Sequence, residues 1–177
     1  MEAIDNGQLI DFDDLRYCTK SKVWNTLLPL QKIPSGFLQS YSRRYDHDLA
    51  VKYQEFDSDT LHEMRYKLDM HLVSQYQTLT EEQISKYFDW LNMSLISKHQ
   101  VLSEKFVIRY FRYLDWRMLG RYQHFSIAFL KTNLSWFTQE DLQNNFSYYS
   151  TDEKKALVQG LGIFKCGEDS FTACMKT

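Results

Sequence analysis

The residue types that most often carry chemistry in proteins are scattered along this sequence. The five histidines form no metal-ligand spacing such as H-E-x-x-H. Cys166 and Cys174 lie eight residues apart, without a second Cys or His pair at the spacing of a zinc site. Acidic pairs such as Glu81-Glu82 stand where a helix is expected to begin, and the helix dipole accounts for them there. We therefore expect no enzymatic activity, no bound metal and no cofactor.

A group of basic and aromatic residues between positions 98 and 121 is the strongest candidate site. It holds six Lys and Arg residues against two acidic ones, Glu104 and Asp115. Arg and Tyr are typical anchors of protein interfaces. Arg and aromatic side chains together also stack on single-stranded bases. We expect a protein partner, with nucleic acid and a merely solvated face as alternatives. The predicted binding residues are Lys98, Lys105, Arg109, Arg112, Tyr113, Arg117 and Arg121.

Composition and charge favour a soluble intracellular protein. The net charge of −2 gives no general reason to bind nucleic acid or an anionic membrane. Three cysteines in 177 residues fit reduced thiols in a cytosol better than a disulfide framework. The acidic N-terminus does not resemble a signal peptide, and no apolar run approaches the length of a membrane span. We therefore expect a cytoplasmic protein that makes no membrane contact.

The elements that must position these residues follow from a repeat. Six glutamines are each separated from the next by 23 residues, and a fixed period of this length is typical of stacked supersecondary units. Further columns keep the same register: apolar residues recur two and seven positions after each glutamine, and fourteen positions after each from Gln31 on, with Lys22 in that place in the first repeat. The six glutamines are Gln8, Gln31, Gln54, Gln77, Gln100 and Gln123.

Each repeat reads as a pair of helices. Three and fifteen positions after each glutamine stand residues that cap helix N-termini, mostly Asp, Asn, Ser and Thr. The apolar spacing between the caps predicts a helix of about ten residues, a tight corner and a helix of about seven or eight. The predicted fold is all-α, a right-handed-type α-solenoid of about six stacked repeats over residues 1–149. A divergent C-terminal capping helix and tail are expected over 150–177. Most rings in the 98–121 group fall in apolar columns and are interpreted as core.

The recurring glutamine has two interpretations. Its amide carries two donors and an acceptor, so it can bond the last carbonyls of one helix and the first N–H groups of the next. The alternative is a row of glutamines that reads a ligand one repeat at a time. The structural interpretation is favoured because repeating the corner repeats the residue.

The best-preserved repeats resemble a family of short tandem repeats. Residues 79–126 contain "LTEEQISKYFDWLNMSLISKHQVLS" followed by "EKFVIRYFRYLDWRMLGRYQHFS". They are similar to the pattern L-S-E-x-F-I-x-x-Y-x-x-x-L-[ND]-W-x-x-I-S-x-Y-Q, found in largely uncharacterised proteins of large DNA viruses and bacteriophages. Residues 8–78 match less well. Trp24 and Trp116 keep the Trp of the pattern, whereas His47, Met70 and Met93 replace it. The resemblance implies a helical repeat fold and a viral or phage origin. An effector that binds and inhibits a host defence or regulatory protein in the host cytosol is the inference drawn from it.

Overall fold

The computed structural model of this chain describes residues 10–143, with positions 150 and 152, and excludes the side chains of Gln139 and Gln143. Over these residues the fold is all-α, as predicted, with twelve short helices. Gln8 and almost all of the predicted C-terminal cap at 150–177 lie outside the described residues. The helices are α1 (Phe12–Leu15), α2 (Ser21–Leu27), α3 (Ser35–Ser40), α4 (His47–Tyr53), α5 (Ser58–Met64), α6 (Met70–Tyr76), α7 (Glu81–Lys86), α8 (Met93–His99), α9 (Glu104–Arg109), α10 (Trp116–Tyr122), α11 (Ile127–Thr132) and α12 (Gln139–Gln143), with a 3₁₀ turn at Leu134–Trp136.

The chain divides into two compact units. The N-terminal unit spans Met1–Asn92 and the C-terminal unit Met93–Thr177. In the N-terminal unit α3 packs on α5 and α4 on α6, and in the C-terminal unit α10 packs on both α8 and α12. In these four pairs a helix contacts the helix two elements away, which is consistent with stacked helical repeats.

The apolar columns of the repeat form the core. The column seven positions after the glutamine is at most 1% exposed and the column fourteen positions after it at most 8%. Burial of such side chains supplies most of the free energy that short helices lack on their own. The two columns are Leu15, Leu38, Leu61, Ile84, Val107 and Leu130, and Tyr45, Leu68, Leu91, Leu114 and Phe137. Cys18, in the column of Tyr41, Tyr87 and Tyr110, is half-buried.

The predicted caps begin both helices of the repeat. Side chains accept bonds from backbone N–H groups one turn on in most repeats, and Thr80 with Gln83 forms a complete capping box. Pro34 at the start of α3 makes no side-chain cap. The remaining capping residues are Asp11, Asp57, Ser103 and Ser126 before first helices, and Asp46, Asp69 and Asp115 before second helices.

The first helix of each repeat is shorter than the ten residues predicted. It has six residues in α3, α7, α9 and α11 and seven in α5. The backbone leaves the helical region at its end, for example at Tyr87 with φ −106° and ψ 18°. A three-residue turn follows, closed by bonds such as Trp90 N–H to Tyr87 C=O (2.9 Å) and Tyr113 N–H to Tyr110 C=O (2.9 Å). The last positions of the predicted helix are therefore an exposed corner.

The amides of Gln54, Gln77 and Gln123 each bond to the repeat before their own. The amide of Gln77 accepts from Phe56 N–H (3.0 Å) and donates to the carbonyls of Gln54 (2.8 Å) and Val51 (2.6 Å). Gln123 repeats this set on Leu102 N–H, Gln100 C=O and Ser97 C=O, and Gln54 on Ile33 N–H, Gln31 C=O and Leu28 C=O. The corner satisfied by the amide thus belongs to the preceding repeat, whereas the sequence suggested the glutamine's own corner.

Two further lines of hydrogen bonds join successive repeats at the helix starts. The cap N–H of a second helix donates to a polar side chain of the preceding repeat: Asp46 to Asn25 (2.8 Å), Asn92 to Ser74 (2.9 Å) and Asp115 to Ser97 (3.0 Å). The cap N–H of a first helix does the same, as in Asp57 to Ser35 (3.0 Å) and Ser126 to Glu104 (2.6 Å). Backbone groups left open at helix ends are thereby satisfied between repeats.

Replacing Gln77 by Leu should lower the free energy of unfolding by about 1–3 kcal/mol, because one N–H and two carbonyls lose their partner in a buried corner. Chemical denaturation followed by circular dichroism measures the change. Gln75→Leu is the matched control, since this side chain is half-buried on α6 and makes no hydrogen bond. Its effect should stay within about 0.5 kcal/mol. Equal effects of the two variants would mean that the Gln77 bonds contribute nothing.

Candidate partner-binding surface

The seven predicted binding residues all lie in the C-terminal unit, on or between three successive helices. Five are exposed, while Lys98 and Arg121 are half-buried. The structure places them on α8 (Lys98), α9 (Lys105 and Arg109), the corner after α9 (Arg112 and Tyr113) and α10 (Arg117 and Arg121).

Arg117 and Arg121 face carboxylates on α12. Arg121 Nη2 lies 2.7 Å from Glu140 Oε1, and its Nε lies 3.7 Å from Asp141 Oδ1. Arg117 lies 4.0 Å from an oxygen of each of the same two residues. Two of the six positive charges in the predicted patch are therefore compensated within the unit.

The contact between α10 and α12 is built around Asp141. Its carboxylate accepts from Thr138 N–H (3.1 Å) and Thr138 Oγ1 (2.6 Å), and Asp141 N–H donates back to Thr138 Oγ1 (3.2 Å). Gly120 lets α10 approach this group: a Cβ there would lie 2.9 Å from Asp141 Cβ and 3.0 Å from Phe137 Cδ1. Arg117 and Arg121 thus belong to an interhelical packing contact.

The other four cations have no acidic partner. Lys98, Lys105, Arg109 and Arg112 form no ion pair with any residue that the structure describes. Three of them lie over aromatic rings: Lys98 Nζ is 5.1 Å from the Tyr122 ring, and the guanidinium carbons of Arg109 and Arg112 are 5.6 Å from Tyr110 and 5.4 Å from Phe111. Cation–π contacts order these side chains without neutralising their charge.

The rings among these cations are more exposed than the sequence suggested. Tyr113, a predicted binding residue, is 62% exposed. Tyr122 is 51% exposed and Phe111 38%, so the interpretation of most rings as core is wrong for these two positions. For Phe111 the reason is the early end of α9, which turns the chain before the helical periodicity would bring this ring to the core.

A cluster of rings surrounds the corner after α9, and we call it the C-terminal corner cluster: Phe111, Arg112, Tyr113, Trp116 and Trp136. Phe111 stacks on Trp136 (5.6 Å between centroids), and Trp116 packs on the same indole at 4.3 Å. Trp116 Nε1 donates to Phe111 C=O (2.8 Å), which fixes the corner backbone. The rings are therefore held in place before any partner arrives.

A second group, the N-terminal corner cluster, consists of Arg65, Tyr66, Tyr87 and Trp90. The Arg65 guanidinium lies 4.2 Å from the ring centroid of Tyr66 and 5.5 Å from that of Trp90. It also donates to the Tyr66 hydroxyl (3.1 Å) and to His62 C=O. Tyr66 is 75% exposed and Trp90 41%, so this unit also presents ordered rings and an Arg at its corners.

No family model, curated protein or solved structure matches this chain. Its function is therefore argued from the chemistry of these surfaces.

The N-terminal corner cluster was missed from the sequence, although a signal for it existed. Twelve and thirteen positions after the glutamine, outside every apolar core column, rings or Arg recur in most repeats. A ring that recurs outside the core columns indicates an exposed surface rather than packing. The residues in these two columns include Arg43, Arg44, Tyr66, Trp90, Arg112, Tyr113 and Trp136.

The histidines and carboxylates form no metal site in the described part of the chain, where no group of three or more His, Cys, Asp or Glu residues could hold an ion. The pKa of His99 is lowered, first by desolvation and then by the neighbouring charge of Lys98. No helix among residues 10–143 has the length and apolar character needed to cross a bilayer.

Gly120→Ala should destabilise the chain by about 1–3 kcal/mol, because the new methyl group overpacks the contact between α10 and Asp141. Gly36→Ala on α3 is the matched control, since its Cβ would meet nothing within 4 Å. There the gain in helix propensity should stabilise by up to about 1 kcal/mol. Thermal unfolding of both variants measures the difference, and a stabilised Gly120→Ala would contradict the close approach of α10 and α12.

Proposed function

We propose that this chain is a non-catalytic repeat protein that binds another protein through its C-terminal unit. The binding surface consists of Lys98, Lys105, Arg109, Arg112 and Tyr113 together with the rings of the C-terminal corner cluster. One observation carries the proposal: exposed, ordered rings stand beside four cations that no carboxylate of the described residues compensates.

The energetics of association favour such a surface. Binding residues that are already held in one geometry lose little side-chain entropy when a partner docks. Phe111 is fixed by stacking on Trp136, and the corner backbone by the bond from Trp116. Tyr, Trp and Arg are also the residue types that contribute most when truncated at protein interfaces. Positive charge around the rings favours a partner with an acidic contact surface.

The proposal extends to the architecture and to the kind of partner. The packing of α3 on α5, of α4 on α6 and of α10 on α8 and α12 supports a right-handed-type α-solenoid of about six repeats. A viral or phage effector that inhibits a host defence or regulatory protein in the host cytosol is supported only by the resemblance of residues 79–126. Inhibition of a purified partner on addition of this chain would test that role, and unchanged partner activity would remove it.

Nucleic acid is the second candidate, favoured by the same rings and cations. Single-stranded bases stack on exposed aromatic and Arg side chains, while Lys and Arg contact phosphates. The compensation of Arg117 and Arg121 by α12 reduces the number of available cations in the patch from six to four. We therefore rank this alternative below a protein partner.

Arg112→Glu should reduce capture of the protein partner more than tenfold, because a charge is reversed at the centre of the corner cluster. Immobilised chain is incubated with host lysate, and the bound proteins are quantified by mass spectrometry. Lys131→Glu is the matched control, an exposed cation on α11 outside the surface, and should retain the same partner. Equal recovery with both variants, or no stoichiometric partner with the wild-type chain, would refute the proposal.

Titration with single-stranded RNA and DNA at several salt concentrations tests the alternative. If all four available cations contact phosphates, the slope of log K against log salt should be about −3. Arg112→Gln should then make it shallower by about 0.7, while Arg117→Gln, already paired with α12, should leave it unchanged. We expect no saturable binding at physiological salt. A slope that follows this pattern would support nucleic acid, rather than a protein, as the binding partner.

A further inference from the structure

Helices α5 and α9 have the same place in their repeats but carry opposite charges. Five and nine positions after the glutamine, α5 presents Asp59 and Glu63, and α9 presents Lys105 and Arg109. The two positions are one helical turn apart, so each pair lies on one side of its helix. All four side chains are exposed, and none of them forms an ion pair with a described residue.

A later position of the repeat extends the match. Three residues further along the chain, in the corner after each helix, Tyr66 follows the acidic pair and Arg112 follows the basic pair. Tyr66 is 75% exposed, and an Arg over a Tyr face is an attractive contact. Ile108, between the two cations, is 46% exposed and offers apolar area.

The other first helices do not carry a single sign at these two positions. On α7 they are Glu82 and Lys86, which balance each other one turn apart. On α3 they are Gly36 and Ser40, and on α11 they are uncharged as well. Two of the five first helices between residues 35 and 132 are therefore singled out, one acidic in the N-terminal unit and one basic in the C-terminal unit.

We propose that the acidic face of α5 (Asp59, Glu63 and Tyr66) docks on the basic face of α9 (Lys105, Arg109 and Arg112) of a second copy of this chain. The two faces have the same spacing because they are the same element of the repeat. The ion pairs between the helices and the contact between the Tyr66 ring and the Arg112 guanidinium can therefore form at the same time. The contact is heterologous, and it closes as a reciprocal dimer or continues as a longer assembly.

The association is weak and dependent on salt. Exposed ion pairs contribute little individually and are screened by added ions. Because Lys105, Arg109 and Arg112 also belong to the surface proposed for another protein, binding of that protein and self-association compete. Self-association is measured on the purified chain alone, so its failure leaves the proposed function untouched.

Light scattering coupled to size-exclusion chromatography over a concentration series tests the contact. The wild-type chain should increase in mass with concentration at low salt. It should return to the monomer in about 1 M salt, where the screening length is about 3 Å. The variants D59K/E63K and K105E/R109E should each stay monomeric, because each then carries one sign on both faces. Their equimolar mixture should associate again, because the acidic face of one chain meets the basic face of the other.

The control variant E82K/K86E exchanges the charges of α7 at the same two positions and should associate as the wild type does. Circular dichroism checks that every variant retains the helical signal. A wild-type chain that stays monomeric at low salt, or an association that survives both charge reversals, would overturn the proposal. So would a mixture of the two reversed variants that remains monomeric.

Discussion

The fold depends on how the ends of very short helices are satisfied. In a helix of six or seven residues, the first four N–H groups and the last four carbonyls have no partner within the helix. Most of its backbone hydrogen-bonding groups must therefore find partners elsewhere. Side-chain caps satisfy one end. The glutamine amide satisfies the corner of the preceding repeat with three bonds, as Gln77 does for Phe56, Gln54 and Val51. The amides of Gln54, Gln77 and Gln123 are buried and committed to backbone, which argues against a row of glutamines that reads a ligand.

The corners tolerate a wider choice of residue types than the core does. The core columns must stay apolar and the glutamine must stay polar, but the turn after each first helix needs only a bond across three residues. Rings and guanidinium groups can therefore stand there without loss of the fold. The corner clusters around Arg65 and Arg112 occupy these turns, and so binding chemistry can vary while the stack is kept.

Much of the fold could be predicted because the repeat supplies several independent signals in one register. The period, the caps and the core columns all follow from residue type and spacing, and they correctly gave short helix pairs. Three features of the structure could not be predicted from the sequence. The end of the first helix depends on the backbone of Tyr87 and its equivalents, the partner of the glutamine lies in another repeat, and Arg121 meets Asp141 only through the packing of α10 on α12. The second and third depend on contacts between different repeats, which residue type and spacing within one repeat do not show. Among the predicted binding residues, Arg112 and Tyr113 are exposed, whereas Arg117 and Arg121 pair with carboxylates of α12.

The direction of the glutamine bonds has a consequence for how such a chain can lengthen or shorten. For Gln54, Gln77 and Gln123 the partners lie 21, 23 and 26 residues before the amide, so this bonding set is defined relative to the period and not to either terminus. Duplication or excision of one whole unit in the gene leaves every remaining amide with a complete set of partners. Insertion of a single residue between two glutamines shifts all three partners at once. The number of repeats can therefore change without loss of these bonds, whereas the length of each repeat cannot.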